Sequence, residues 1–340
     1  MQVTYIGWIL IPLAIFLFFF QKNWLYILTI FFLPFSATSV AAISGASSQL
    51  PIEVTVFCGS LWMLRVFIEK LLNNKPNNIS LILSHAEFLI ILFLLICGLS
   101  MAVPIFSDGI EVFQMDSRSK IALKFGGDQI INLAYISYGL IFSIFFARYN
   151  RNIIQLEKTF KIFLLSLIFV SIWGYFEVAT YYLGLEYPYY IFNNTAAYIP
   201  DSTGSRRVLW EINLARLASV ADEPSILAQE IIPGIAIIVG YLYYGKYIFS
   251  RLLDKFLIVA FVFTLLLSGS SSGVVGLLIM TLGLLFISLK RNYKSIISIS
   301  LIIIIFILII INEIDILRII LNEYFINKLN TDSGVERLLS

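Results

Sequence analysis

Long apolar runs that contain no charged residue constrain this chain more than any other feature of its sequence. Residues 3–20, 88–106 and 296–311 are three such runs. Each approaches the roughly 20 residues that a helix needs to cross the hydrocarbon core of a bilayer. A mean hydropathy of +0.92 excludes an ordinary water-soluble domain. Because the runs lack the alternating pattern of a membrane barrel, they predict an all-α, polytopic membrane protein.

The charge balance and the cysteines exclude several classes of function. A net charge of +2 is too small to indicate a nucleic-acid partner. Cys58 and Cys97 both fall in apolar runs, where we expect small buried hydrophobic residues rather than a disulfide. His85 is the only histidine, and we expect it to be structural. Motifs for phosphate loops, dinucleotides, metals and serine hydrolases are missing from the sequence, so we predict neither a cofactor nor a metal.

Hydropathy predicts ten membrane spans, separated by connections that alternate in charge. The spans lie near residues 3–20, 24–43, 54–72, 85–106, 130–147, 158–183, 225–244, 255–269, 272–289 and 295–311. Lys and Arg concentrate in every second connection, which the positive-inside rule assigns to the cytoplasm. Both termini are then outside. The N-terminus has no basic region or small-residue cleavage site, so we expect the first span to be retained.

The domain organisation follows from these spans. We predict N-terminal membrane helices over residues 1–183, an outer, periplasmic loop over 184–222, and C-terminal membrane helices over 223–311. Residues 312–340 begin a second outer segment, where apolar residues at helical spacing predict a helix lying in the membrane interface.

The long outer loop begins with a group of aromatic side chains: Tyr187, Tyr189, Tyr190 and Phe192. Aromatic residues at this level commonly form a belt at the membrane interface. They are also suited to stacking on sugar rings. The sequence leaves both interpretations open.

Two helix starts on the predicted outer face carry polar residues that need an explanation. Pro224 suits the first turn of a helix, and Asp222 or Glu223 can cap it. The turn from Ser268 to Gly273 opens the ninth span in the same way. Helix N-termini favour anions, and the nearby arginines add positive charge. The arginines in question are Arg206, Arg207 and Arg216.

These features together predict a site for a diphosphate at the level of the lipid headgroups. The alternative is that Asp222 and Glu223 are caps, that Ser270 and Ser271 turn the chain, and that the arginines contact lipid phosphates. Two further carboxyl groups are candidates for function. Glu230 lies seven residues beyond Glu223, two helical turns along the same span. Glu177 lies near the outer end of the sixth span and can pair with an arginine or be protonated.

The order of these motifs resembles the O-antigen polymerase and ligase superfamily. The resemblance rests on Arg216, on Glu-Pro-Ser at 223–225 opening a span, and on the later Ser-rich turn at 268–273. The tail from Asp332 to Arg337, Asp-Ser-Gly-Val-Glu-Arg, is similar to a segment of the family's outer domain. The resemblance covers roughly residues 200–340 and implies the fold of the multi-span lipid-sugar glycosyltransferases, with no metal.

The resemblance also implies roles for individual residues. It implies that outer arginines hold the diphosphate of an undecaprenyl-diphosphate-linked oligosaccharide and that a base deprotonates the acceptor hydroxyl. We therefore expect Arg216 and Glu223 to be catalytic. We expect substrate contacts from the remaining residues of the site: Arg206, Arg207, Ser225, Ser270, Ser271 and Arg337. The expected partners are that substrate, membrane lipid and a polysaccharide chain-length regulator.

This sequence departs from the family pattern in three respects. The Ser-rich turn lacks the Arg that ligase-like members carry, and the outer region has no His, which favours the polymerase branch. The family also continues beyond the point that corresponds to Ser340, so we expect a missing C-terminal part. The functions under consideration are polymerase, ligase, a transporter of the same lipid-linked sugars, and an assembly partner. The expected location is the bacterial inner membrane.

Overall fold

The computed structural model describes residues 2–44, 49–72, 84–106, 110–114, 119–122, 127–194, 208–209 and 214–291. Several predictions therefore lie outside the described residues. They are those for Arg206, Arg207, Arg337, the tenth span and the segment 312–340.

The described residues are mostly helical. The helices are α1 (Tyr5–Phe20), α2 (Lys22–Phe31), α3 (Val54–Leu72), α4 (His85–Ser100), α5 (Val103–Phe106), α6 (Gly127–Tyr149), α7 (Ile153–Leu183), α8 (Tyr189–Phe192), α9 (Pro224–Tyr243), α10 (Arg251–Ser268) and α11 (Ser271–Arg291). Short antiparallel strands accompany them: β1 (Gln2–Val3), β2 (Ser39–Ser44), β3 (Gln49–Glu53), β4 (Glu111–Gln114), β5 (Ser119–Ala122), β6 (Val208–Leu209) and β7 (Leu214–Ala215). They form the sheets β1-β2-β3, β4-β5 and β6-β7.

Three of the described helical segments are long and apolar enough to cross a membrane. They are Ile130–Tyr149, Ile153–Leu183 and Pro224–Tyr243. Shorter apolar helices occur at Tyr5–Phe20, Glu87–Ser100 and Ser272–Leu284. The chain is therefore a membrane protein with several apolar helices, and the count of ten spans stays a prediction.

The continuous helix predicted over residues 24–43 is wrong, whereas the mostly helical character of the fold is confirmed. Helix α2 ends at Phe31, and the chain enters β2 at Ser39. Pro34 accounts for the break, because a proline disfavours helical backbone in the residue before it. In β2, Ala42 pairs with Gln2 of β1, and Ser39 pairs with Glu53 of β3. An apolar run alone does not distinguish a buried strand from a helix.

The start of α1 is fixed against β2. Thr4 is the N-cap of α1, and its Oγ1 accepts a hydrogen bond from the Gly7 N–H at 3.0 Å. The same hydroxyl donates to the Ser39 carbonyl at 2.7 Å. A Cβ on Gly7 would collide with the Val40 carbonyl. This close contact holds the start of α1 beside β2.

The chain divides into two compact units. The first contains Met1–Cys58 with Glu157–Ser340, and the second contains Gly59–Leu156. In the second unit, Trp62 contacts the rings of Phe142, Phe145 and Tyr149, with centroid distances of 5.8, 6.3 and 5.4 Å. The Arg148 guanidinium there donates to both oxygens of Glu87, at 2.6 and 2.9 Å. The first unit contains the candidate site.

Glycines allow close packing of the helices in the first unit. A Cβ on Gly234 of α9 would collide with Leu167 of α7. A Cβ on Gly273 of α11 would lie 2.9 Å from the Cβ of Ala228 on α9. One turn further along, a Cβ on Gly276 would collide with Ile232. Helix α9 therefore packs directly against both α7 and α11.

Candidate functional site

The backbone that leads into α9 is irregular and buried. Residues 217, 218, 220 and 221 are apolar, and Ser219 lies among them with a φ of 55°. None of these five residues is exposed to any measurable extent. Irregular backbone inside a membrane protein requires partners for its polar groups. Residues 216–223, here named the 216–223 loop, obtain these partners from several distant elements.

Glu177 of α7 holds the centre of the loop. Its Oε2 accepts hydrogen bonds from the N–H groups of Ala218 at 3.1 Å and Ser219 at 2.6 Å. The Ser219 hydroxyl donates to the Val170 carbonyl at 2.6 Å. The prediction named Glu177 as a candidate for function. The structure gives it a positioning role, because its carboxylate binds backbone.

Residues between α2 and β2, and the residue that follows α8, hold the remainder of the loop. The Asn193 side-chain amide donates to the Ser219 carbonyl at 2.5 Å. The Ala37 N–H donates to the Val220 carbonyl at 3.0 Å, and the Asp222 N–H donates to the Ser36 hydroxyl at 3.3 Å. The loop is thus bound by three segments that are far apart in sequence.

Arg216 lies against the C-terminal end of α10. Its Nε donates to the Ser268 carbonyl at 3.2 Å, and its Nη2 donates to the Gly269 carbonyl at 3.3 Å. Gly269 is the C-cap of α10, with a φ of 55° in the left-handed region. The carbonyl end of a helix is negative and favours a cation. The structure therefore brings Arg216 and the Ser-rich turn together, as the motif order led us to expect.

The N-termini of α9 and α11 lie side by side. Gly273 faces Ala228 and Gly276 faces Ile232, so the two helices run parallel in this register. One turn before Ala228 is Pro224, which is therefore level with the turn at Ser270. The Ser270 hydroxyl is within 2.7 Å of the Ser272 hydroxyl and accepts a hydrogen bond from the Gly273 N–H at 3.4 Å. The N-terminal ends of α9 and α11, which carry partial positive charge, therefore lie side by side.

Glu223 is at the N-cap position of α9, and Pro224 follows it at the first helical position. The expectation that the Glu223 side chain caps this helix is wrong, because it makes no capping hydrogen bond. One of the Glu223 carboxylate oxygens accepts a hydrogen bond from the Ser225 hydroxyl at 3.1 Å. The side chains of Glu223 and Ser225 are part-buried, whereas Asp222 is exposed. Glu230 lies two turns further along α9 and is also part-buried.

Sequence reasoning missed a second carboxyl group beside the loop. Glu53 ends β3, and burial together with the charge of Asp222 raises the pKa of Glu53 to about 7. The position of Glu53 near Asp222 depends on the pairing of β3 with β2. The span prediction at 24–43 had excluded β2. Asn193 was missed because a lone Asn in a loop carries no sequence signal for its hydrogen-bond partner.

The aromatic residues at positions 187–192 separate into two groups. Phe192 and Tyr187 pack on Trp173, with ring centroids 5.1 and 5.8 Å away. Tyr189 and Tyr190 are exposed. Tyr187 is therefore buried and Phe192 is part-buried, whereas Tyr189 and Tyr190 are the exposed members of this group.

No protein-family model, curated protein or solved structure matches this chain. What the protein does is therefore inferred from its own residues.

Proposed function

We propose that the protein is a polymerase-type glycosyltransferase of the bacterial inner membrane. In this proposal it transfers a glycan from undecaprenyl diphosphate to a hydroxyl of an acceptor sugar at the outer face. The observation that carries the proposal is the position of Arg216, on the carbonyl end of α10 and beside the N-termini of α9 and α11.

The electrostatics of this position suit a diphosphate. A guanidinium offers a planar fork of donors to phosphate oxygens. Two helix N-termini add partial positive charge and backbone N–H groups. The hydroxyls of Ser225 and Ser270 lie at these helix starts, and Ser271 begins α11. In the proposed complex these groups surround the leaving group.

The proposed reaction is a single displacement at the anomeric carbon of the donor sugar. A hydroxyl of the acceptor attacks, the new glycosidic C–O bond forms, and the bond from the anomeric carbon to the phosphate oxygen breaks. Glu223 orients the acceptor and takes the proton of its hydroxyl. The electron pair leaves with undecaprenyl diphosphate, whose negative charge Arg216 stabilises. All groups in this scheme belong to the protein or its two substrates.

The proposed topology places the 216–223 loop and the Ser-rich turn at the outer face of the membrane. The asymmetry of Lys and Arg between alternate connections supports this orientation. The bases at the opposite ends of the same helices agree with it. Lys246 follows the end of α9 and Arg251 begins α10. The positive-inside rule assigns this connection to the cytoplasm.

The surface glycan of a deletion strain tests the proposed function. We expect glycans that carry a single repeat unit, and recovery of long polymer when the wild-type gene is returned. Complete loss of glycan from its final acceptor, with lipid-linked polymer retained, indicates a ligase instead. Accumulation of lipid-linked units on the inner leaflet indicates a transporter. Normal long polymer in the deletion strain rejects the proposal.

A further inference from the structure

A cleft opens between the start of α1 and the short helix α8. Its volume is about 340 Å³, within the size range of sites for small ligands. Three aromatic residues line it: Tyr5, Trp8 and Tyr190. The remaining lining residues are the apolar Val3 and three uncharged polar residues, Gln2, Thr4 and Asn194. All of them belong to the first compact unit, which also contains the 216–223 loop.

The aromatic rings of the cleft are exposed. Tyr5 is 74% exposed, Trp8 is 70% exposed and Tyr190 is 57% exposed. Tyr5 and Tyr190 meet edge to face with their ring centroids 5.7 Å apart. They come from segments far apart in sequence, so the fold assembles this aromatic surface.

The polar wall is rigid. The Asn194 side-chain oxygen accepts hydrogen bonds from the N–H and the hydroxyl of Ser39, at 2.7 and 2.8 Å. Its side-chain nitrogen donates to the Ser39 carbonyl at 3.0 Å. Thr4 is fixed to the same carbonyl at 2.7 Å. The cleft is therefore formed before any ligand arrives, which lowers the ordering cost of binding.

The wall of the cleft and the 216–223 loop are held by adjacent residues. Asn194 lines the cleft, and its neighbour Asn193 donates to the Ser219 carbonyl of the 216–223 loop. Consecutive residues thus hold the wall of the cleft and the loop that carries Arg216. A ligand that occupies both regions would lie along the outer face of the first unit.

We propose that this cleft binds an uncharged sugar ring of the glycan substrate. This inference takes its ligand from the proposed function. The lining residues carry no formal charge, which disfavours a phosphate. Exposed aromatic faces pack on the apolar C–H face of a pyranose ring, and the Gln2 amide supplies a donor and an acceptor for sugar hydroxyls. An acyl chain would use the rings but leave the amide without a partner.

Direct binding tests this inference. The purified chain is placed in lipid nanodiscs and titrated with oligosaccharide released by mild acid from the surface polysaccharide of the source cells. Saturation-transfer NMR measures the affinity. We expect Trp8→Ala and Tyr190→Ala each to weaken binding about threefold to tenfold, since an aromatic contact contributes that much.

Matched controls separate a sugar site from an interfacial belt. Trp24 is 59% exposed and Tyr182 is 58% exposed, and neither lines the cleft. We expect Trp24→Ala and Tyr182→Ala to bind as the wild type does. Size-exclusion profiles and melting temperatures establish that all four variants are folded.

Three results would overturn the inference. They are absence of binding by the wild type, equal loss in cleft and control variants, and wild-type affinity in both cleft variants. The test is independent of the proposed function, because it measures binding. Long polymer in the deletion strain combined with cleft-specific binding rejects the function and retains the cleft. Single-unit glycans in the deletion strain without cleft-specific binding retain the proposed function and reject the cleft as a sugar site.

Discussion

The carboxylate of Glu177 accepts a hydrogen bond at 2.6 Å from the N–H of Ser219, a residue whose φ of 55° few non-glycine residues adopt. The two residues lie 42 positions apart in the sequence. Such backbone costs of order 1 to 3 kcal/mol and persists only where its surroundings enforce it. Glu177 therefore helps to determine the shape of the loop that presents Arg216.

Removal of the Glu177 carboxylate is expected to destabilise the protein. In Glu177→Ala the buried N–H groups of Ala218 and Ser219 lose their acceptor, at a cost of about 2 to 5 kcal/mol. Glu177→Gln retains one acceptor oxygen and is expected to lose less. Thermal unfolding in detergent measures both. Glu186→Ala, which removes an exposed carboxylate, is the control. Equal melting temperatures for Glu177→Ala and Glu186→Ala would contradict the positioning role.

Gly174→Ala is expected to displace the 216–223 loop. A Cβ at residue 174 would collide with the Leu217 side chain, and overpacking of this kind costs about 1 to 3 kcal/mol. Gly139→Ala is the control, because its new methyl group meets no described atom within 4 Å, and alanine favours a helix. Unfolding midpoints and polymer length are compared. A Gly174→Ala variant as stable and active as Gly139→Ala would show that the close contact is unimportant.

The sequence predicted the helices of this fold better than its strands. Helix α3 covers Val54–Leu72 and α9 covers Pro224–Tyr243, against predicted spans at 54–72 and 225–244. Pro224 at the first turn of α9 predicted its start, and the largely apolar composition of both segments predicted helices of this length. Strand β2 was not recognised, because its apolar residues continue the run of α2 and its pairing partners lie at 2–3 and 49–53.

The candidate site was predicted in its motifs but not in its contacts. Motif order led us to expect Arg216 near the Ser-rich turn. That the guanidinium binds the carbonyls of Ser268 and Gly269 depends on how α10 ends. The hydrogen bond from Asn193 to the loop and the proximity of Glu53 to Asp222 arise from tertiary folding, which local sequence patterns do not encode.

Stability is expected to fall as the pH rises, because of Glu53. Burial and Asp222 raise the pKa of Glu53 to about 7 in the folded protein, whereas an exposed glutamate titrates near 4.3 in the unfolded chain. Between these values the folded state binds more protons, so rising pH favours unfolding by up to about 3 kcal/mol. Above the folded pKa both states are deprotonated and the loss levels off.

Melting temperatures across this pH range, measured in one detergent, check the assignment to Glu53. The decline should be reduced in Glu53→Gln, which carries no titratable proton. It should persist in Glu186→Gln, where the carboxyl is exposed. The assignment fails if Glu53→Gln declines as steeply as the wild type.

Arg216→Lys is expected to lose most of the activity while retaining the charge. Lysine lacks the planar fork that reaches two carbonyls and, in the proposed complex, a diphosphate. Loss of a preorganised donor at a developing charge costs roughly 100-fold in rate. Polymer length and protein abundance are measured together. Arg251→Lys, at the opposite end of α10, should make normal polymer. Long polymer from Arg216→Lys at normal abundance would remove Arg216 from the proposed site.

Glu223→Gln tests whether the Glu223 carboxylate acts as the general base. The glutamine has the same shape and can still accept a hydrogen bond from Ser225, as the carboxylate does at 3.1 Å, but it cannot take a proton from the acceptor. A general base contributes about 100-fold to 10,000-fold, so we expect turnover to fall by that order with an unchanged melting temperature. If Glu223 has no catalytic role, Glu223→Gln and Glu223→Ala both retain turnover, and Glu223→Ala costs little stability because it removes no capping hydrogen bond from α9. Measuring turnover and unfolding on the same preparations of both variants separates these roles. Normal turnover in Glu223→Gln would assign the proton transfer to another group.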